Sequence, residues 1–259
     1  TDGFIQETIM TLLTNRTIII SGASSGIGAA AAELFADHGA NLVLIARDKT
    51  GLEETATQVR NRGRQAIILS GDVRDPQTHE RAVDRAMNDF GRLDGAFNNA
   101  GETGDMSPIA EISLETFEHV LATNLTGAFL ASKYQIPAMI ETGGGSIVFT
   151  GSFVGVSAGL PTMGAYATAK SGLLGLIRSI TADYAAQNIR STALLPGGTN
   201  TRMAGNADDR EWAAGLHAMK RLADPQEIAQ AALFLVSDMS SFVSGSALWA
   251  DGGNAAVKV

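Results

Sequence analysis

Thr17-Ile18-Ile19-Ile20-Ser21-Gly22-Ala23-Ser24-Ser25-Gly26-Ile27-Gly28 is the stretch on which the fold turns. Its first half is a short apolar run of β-branched side chains bounded by Ser and Gly, which reads as a strand. Its second half is a glycine-rich turn that passes into a helical pattern over Ile27 to His38. Strand, glycine turn and helix in this order bring backbone N–H groups and the positive end of a helix to one point, where a pyrophosphate is stabilised. The same glycines also suit a tight turn that holds no ligand, and the spacing Gly22-x3-Gly26-x-Gly28 differs from the common GxGxxG.

Outward from this stretch, short apolar runs alternate with longer helical patterns, the mark of a parallel sheet covered by helices. Strands are expected at Thr17 to Ile20, Asn41 to Ala46, Ala66 to Leu69, Leu93 to Phe97, Ser146 to Thr150, Arg190 to Leu195 and Ala247 to Ala250. Helices are expected at Ile27 to His38, Leu52 to Asn61, Pro76 to Phe90, Leu114 to Met139, Ala165 to Ala186 and Pro225 to Leu235. Asp75 and Asp224 precede prolines at a first helical position and read as N-caps. The expected architecture is α/β, a single-domain Rossmann fold over residues 1–259 with a doubly wound parallel seven-stranded sheet and helices on both faces. No linker, repeat or low-complexity tract marks a second domain. Thr1 to Thr14, with Ile9, Met10, Leu12 and Leu13, form a prefix that packs as a short helix or frays, residues 1–12 being an N-terminal extension. Residues 200–220 carry Met203, Trp212, Leu216 and Met219 among polar positions, which suits a helical lid over a substrate.

Composition narrows the function. A length of 259 residues with 45% hydrophobic content is enough for one large core. The formal net charge of -8 argues against a nucleic-acid or acidic-membrane partner, because either needs a dense basic face. The short basic stretch Arg60-Asn61-Arg62-Gly63-Arg64 suits a helix C-terminus, where cations are favoured. The absence of Cys excludes disulfides, thiolate nucleophiles and Cys-ligated metals. His38, His79, His119 and His217 show neither HxxxH nor HExxH spacing, so each reads as structural or surface and no metal is expected. No apolar run approaches the ~18 residues of a membrane span. Thr1-Asp2-Gly3 lacks a basic secretory start, so a cytoplasmic location is expected.

Two further positions carry chemistry. The second strand ends in Ala46 with Arg47 after it, where an acid would bond the 2′-hydroxyl of NAD and Arg accommodates a 2′-phosphate. A charge-assisted bond of about 1.5 to 3 kcal/mol favours NADP(H) over NAD(H), although Asp48 stands next door and Arg47 also reads as a solvated loop cation. Tyr166 and Lys170 lie four apart in Tyr166-Ala-Thr-Ala-Lys170, on one helical face. A cation beside a phenol favours phenolate and makes Tyr a usable acid or base, while the same spacing also describes an ordinary surface pair.

With Asn98-Asn99-Ala100-Gly101 after the fourth strand, the order of motifs resembles the short-chain dehydrogenase/reductase family from about Leu13 to Gly253. The other pieces are the Gly22/Gly26/Gly28 loop, Asp72-Val73, Asn124, Ser152, Tyr166/Lys170, Pro196-Gly197 and Asp251-Gly252-Gly253. The resemblance implies cofactor phosphates at Gly22, Ser24, Ser25, Gly26, Ile27 and Gly28, and adenine at Asp72 and Val73. It implies that Asn98, Ala100 and Gly101 brace the adenine side, that Pro196, Gly197 and Thr199 line the nicotinamide, and that Thr201 lies near its carboxamide or phosphate. It also has Lys170 hold the nicotinamide ribose and Asn124 keep a water in a proton relay. Asp72-Val73 also reads as a strand-end turn, and the Asn pair as a structural knot. Gly151 and Thr199 depart from the family's frequent residues without removing a catalytic group.

On this reading Ser152 bonds the substrate oxygen, Tyr166 exchanges its proton and Lys170 favours tyrosinate. Phe153, Leu160, Met163, Met203, Trp212 and Leu216 are candidates for an apolar substrate wall or for core. The function expected is an NADP(H)-dependent carbonyl reductase, reversible to alcohol oxidation, with a small carbonyl or alcohol substrate. A narrower alternative is a 3-oxoacyl carrier-protein reductase, which needs a basic patch from Arg202, Arg210, Lys220 and Arg221 that Asp208, Asp209 and Glu211 offset. A non-catalytic nucleotide-sensing module is the alternative from another class, and the intact Ser152, Tyr166 and Lys170 speak against it. The resemblance further implies a homotetramer or homodimer paired through Leu114 to Met139 and Ala165 to Ala186.

Overall fold

A computed structural model describes residues 11–257. Seven parallel strands form one sheet in the order β3-β2-β1-β4-β5-β6-β7. They are β1 (Thr17–Ser21), β2 (Asn41–Ala46), β3 (Ala66–Ser70), β4 (Gly95–Asn98), β5 (Gly145–Thr150), β6 (Ile189–Pro196) and β7 (Ala247–Ala250). The apolar runs are continuous because both faces of the sheet are covered. Side chains alternate between the faces: Ile18, Ile20, Leu42, Leu44, Phe97 and Val148 enter one core layer. Ile19, Val43, Ile45, Ala96, Ile147 and Phe149 enter the other.

Helices α1 (Gly26–Asp37), α2 (Lys49–Asn61), α3 (Pro76–Phe90), α4 (Leu114–Leu121), α5 (Gly127–Glu141), α6 (Gly164–Tyr184), α7 (Ala207–Gly215) and α8 (Pro225–Val236) connect the strands. Residues of α1, α2 and α8 fill the first layer, those of α3, α5 and α6 the second. Pro76 and Pro225 start their helices behind Asp75 and Asp224. At the end of α2, Arg62 reaches Glu33 at 2.7 Å and Asp37 at 3.0 Å, which ties the basic stretch to α1. None of the described helices is long and apolar enough to cross a membrane.

Three expectations change. The single helix expected over Leu114 to Met139 is interrupted by a π turn at Ala122–Thr126, which separates α4 from α5. Strand β4 begins at Gly95 rather than Leu93, because the side chain of Asp94 is committed at the foot of the sheet. Of the N-terminal prefix, Leu12 to Asn15 form a turn and Leu13 is buried, while Ile9 and Met10 lie outside the described residues.

Asp94 accepts the Thr17 N–H at 2.8 Å and pairs with Arg16 at 3.0 Å and with Arg92. Burial pushes its carboxyl up, but Arg92, the Thr17 N–H and Arg16 together outweigh that and hold it below the ordinary value. Asp94→Ala is expected to cost about 2–4 kcal/mol in urea unfolding at neutral pH. A group lowered on folding stabilises above its unfolded pKa, near 4 for Asp, and loses that contribution as pH falls through the lowered value. The difference between wild type and Asp94→Ala should therefore shrink only in strong acid; a difference that is constant with pH would contradict this role.

Candidate active site

Every motif on the carboxyl side of a strand meets at one edge of the sheet: Gly22 after β1, Arg47 after β2, Asp72 after β3, Asn99 after β4, Ser152 after β5 and Gly197 after β6. Strand order reverses between β1 and β4, and open α/β sheets bind ligands in that crevice.

The glycine loop is shaped for close approach. Gly22 and Gly26 adopt φ of 69° and 57°, and a Cβ on Gly28 would fall 2.2 Å from the Gly22 carbonyl oxygen. Ser25, the N-cap of α1, makes no side-chain capping bond, so the first-turn N–H groups are not capped by it. The Thr201 methyl lies against Gly26, where an added Cβ would meet it at 3.0 Å, which brings the segment after β6 onto the phosphate loop. Ser24 is half-buried, Ser25 exposed, and Ile27 packs on the core layer of α1. These features fit a dinucleotide's pyrophosphate.

Arg47 is 65% exposed and its Nη2 lies 3.5 Å from Oε2 of Glu102. Asp48 caps α2, one of its carboxylate oxygens accepting the Gly51 N–H at 3.2 Å. Asp72 is not a free acceptor: Arg74 holds both of its oxygens, and that pair lowers its carboxyl to about 2. Val73 accepts from Nε2 of His79 at 2.7 Å through its carbonyl. Asn98 forms a reciprocal amide pair with Gln135 at 3.0 and 3.1 Å. Asn99 accepts from Thr150 at 3.0 Å, and the N–H groups of Asn99 and Ala100 share the Ser21 hydroxyl at 3.1 and 3.2 Å. Both Asn side chains thus brace β4 internally, leaving the backbone of Ala100 and Gly101 at the crevice.

The expected catalytic side chains converge. Tyr166 stands in the first turn of α6 and Lys170 one turn on, with Nζ 5.4 Å from the phenol ring centroid. Lys170 is 3% exposed and donates to the Thr150 carbonyl at 2.7 Å. Val154 N–H donates to Oγ of Ser152 at 3.1 Å, which leaves the Ser152 hydroxyl its own proton to donate, and Ser152 is near enough to Tyr166 to favour the phenolate. In the π turn, Nδ2 of Asn124 donates to the carbonyls of Glu102 at 2.8 Å and Val120 at 2.9 Å. A Cβ on Gly101 would lie 2.7 Å from Oδ1 of Asn124 and 3.3 Å from Nζ of Lys170, so that glycine lets the two groups sit side by side. A small cavity bordered by Asn98, Asn124, Thr150 and Lys170 lies behind them.

One electrostatic expectation is corrected. Burial, not the lysine, dominates Tyr166 and pushes its phenol up, with the Ser152 hydrogen bond as the opposing influence. Burial likewise lowers Lys170 to about 8, which weakens it as a fixed cation.

After β6, Gly197 N–H bonds the Ala250 carbonyl at 3.0 Å and Thr199 is buried, its hydroxyl donating to the Gly197 carbonyl at 3.1 Å. Pro196 ends the strand. His217, expected to be structural or surface, is 2% exposed; its Nε2 accepts the Gly198 N–H at 2.9 Å. Phe153 packs edge-on against that ring at 6.4 Å, so it belongs to the core rather than to a substrate wall. Met203 and Trp212 are exposed, while Leu160, Met163 and Leu216 are half-buried. Arg221 is paired with Glu227 at 2.6 Å, and Arg210 donates to Asn200, Gly205 and Thr201. Of the four cations of the basic patch a carrier protein needs, Arg221 is neutralised by an acid and Arg210 bonds neutral oxygens.

Sequence reasoning missed Arg74, Glu102 and His119, which link the ends of β2, β3 and β4 to α4. Only the adjacency of Glu102 to Asn98-Asn99-Ala100-Gly101 hinted at it.

A glycine cradle that fits a dinucleotide thus stands beside a Ser-Tyr-Lys cluster at the carboxyl edge of the sheet. A family profile described as enoyl-(acyl carrier protein) reductase matches residues 22–255. The chain is 42% identical to 2,5-dichloro-2,5-cyclohexadiene-1,4-diol dehydrogenase of Sphingobium indicum, over 96% of this chain and 100% of that one. It is 34% identical to cyclohexanol dehydrogenase of Acinetobacter, covering 92% and 94%. Carveol dehydrogenase of Mycobacterium avium, solved in complex with NAD, superposes with a TM-score of 0.90 at 30% identity, covering 94% and 99%. The chain belongs to the short-chain dehydrogenase/reductase family. It is an oxidoreductase acting between CH–OH and C=O, and the family implies a nicotinamide cofactor.

Proposed function

We propose that the chain exchanges hydride between NADP(H) and a secondary alcohol or ketone carried on a small ring. The observation that carries the reading is the convergence of Ser152, just past the end of β5, with Tyr166 and buried Lys170 one turn apart on α6. The ring preference is supported by the substrates for which the relatives are named, a cyclohexadiene diol and cyclohexanol.

The nicotinamide supplies or takes the hydride. The residues of the chain do the rest. Gly22, Ser24, Ser25, Gly26, Ile27 and Gly28 would hold the pyrophosphate, and Thr201 closes over them. Ser152 would donate to the substrate oxygen, and the Tyr166 phenol, whose pKa burial pushes further up, would deliver its proton to that oxygen during reduction. In oxidation the phenolate oxygen of Tyr166 would take the proton from the substrate hydroxyl, and Ser152 would steady that phenolate. Lys170 and Asn124, adjacent across Gly101, would return the proton through the cavity behind them.

Arg47 carries the cofactor preference in this proposal. Its guanidinium is exposed at the end of β2, while the neighbouring Asp48 turns one oxygen to the start of α2. Arg47→Asp is expected to shift the ratio of kcat/KM for NADPH over NADH by roughly tenfold or more toward NADH. An unchanged ratio would refute the assignment.

A further inference from the structure

A chain of charged contacts crosses the adenosine side of the site. Arg74 holds Asp72 at 2.6 Å and donates through Nη1 to Nδ1 of His119 at 2.8 Å. A guanidinium only donates, so Nδ1 of His119 accepts and Nε2 carries the proton that faces Oε1 of Glu102 at 2.6 Å. Thr123 donates to the same oxygen at 2.8 Å. Glu102, 23% exposed, is thereby held with its other oxygen, Oε2, 3.5 Å from Nη2 of Arg47.

We propose that Glu102 is a specificity-determining residue that limits the preference for a 2′-phosphorylated nucleotide by holding the Arg47 guanidinium. The inference rests on the NADP(H) reading of Arg47. Its physics has two routes with one sign. Where the pair persists, a fixed carboxylate repels the phosphate beside it. Where the phosphate displaces the carboxylate, the pair must be given up. Either way Glu102 weakens binding of the phosphorylated form and leaves the unphosphorylated form alone. Arg47 is largely exposed, so the effect has the size of an exposed ion pair, roughly threefold to tenfold in affinity.

Glu102→Gln isolates the charge. The amide oxygen still accepts from Thr123 and His119. The backbone bonds from Glu102 N–H to Oδ1 of Asn124 at 3.3 Å and from Nδ2 of Asn124 to the Glu102 carbonyl at 2.8 Å do not involve the side chain. The test is calorimetric titration of the full chain with 2′,5′-ADP and with 5′-AMP, which requires no turnover. Glu102→Gln should bind 2′,5′-ADP roughly threefold to tenfold more tightly, with 5′-AMP unchanged. In an Arg47→Met background the same change should have no effect.

Unchanged or weaker 2′,5′-ADP binding, or equal tightening of 5′-AMP, would overturn the proposal. So would a gain that survives Arg47→Met. Failure of the cofactor reading looks different: wild type would then bind the two nucleotides equally. A rise in their ratio on Glu102→Gln from that starting point would still uphold the control by Glu102.

Discussion

Tyr166→Phe is expected to lower kcat for ketone reduction by roughly 10² to 10⁴, the range for a lost general acid, while NADPH binding is retained. The phenol is the group placed to move a proton: it stands beside Ser152 and Lys170, and burial pushes its pKa up from a value that already leaves it protonated at neutral pH. Phe preserves the ring in the first turn of α6 and its contact with Lys170, so the loss isolates the hydroxyl. Steady-state rates with saturating cofactor, alongside a direct NADPH titration, check this. Turnover near that of wild type would remove Tyr166 from the mechanism. The pH profile adds a second reading of the pair. Lys170 titrates at about 8, so its charge fades as pH rises through that value and reduction should weaken with it.

Ser152→Ala is expected to cost roughly 10² to 10³ in kcat, the loss seen when one donor to a reacting oxygen is removed. The two directions should not suffer equally. The Ser152 bond is what opposes the burial of Tyr166, so without it the phenol is harder to ionise. Alcohol oxidation needs Tyr166 as phenolate to take a proton, and should lose more than carbonyl reduction. Measuring kcat in both directions on one alcohol–ketone pair tests this. Equal losses would mean that Ser152 only binds substrate, and no loss would exclude it from the site.

Much of the architecture was legible because its signals are local. Ile18, Ile19 and Ile20 must form a covered strand, and Gly22, Gly26 and Gly28 permit the turn that follows. The spacing of Tyr166 and Lys170 put them on one face without reference to any distant residue. The π turn was not legible, because one inserted residue leaves the apolar pattern of Leu114 to Met139 intact. It is this turn that holds Asn124, whose side chain reaches back to Glu102. The Asp72–Arg74–His119–Glu102–Arg47 contacts were equally hidden, since they join separate connections whose convergence only the folded sheet creates. His217 had no signal at all: its role comes from two glycines, Gly197 and Gly198, where an added Cβ would strike its ring at 2.5 and 3.0 Å. The behaviour of Tyr166 also escaped the sequence, because helical spacing shows a nearby cation but not the burial that outweighs it.

Hydride exchange between NADP(H) and a ring-borne secondary alcohol or ketone is the reaction proposed for this chain. It is tested most directly by following nicotinamide absorbance with the wild-type chain, NADPH or NADH, and a panel of cyclic ketones beside open-chain ones. The account predicts ketone-dependent oxidation of the cofactor, faster with NADPH than with NADH and faster with cyclic than with open-chain ketones. Protein that binds NADPH yet oxidises it with no member of the panel would contradict it.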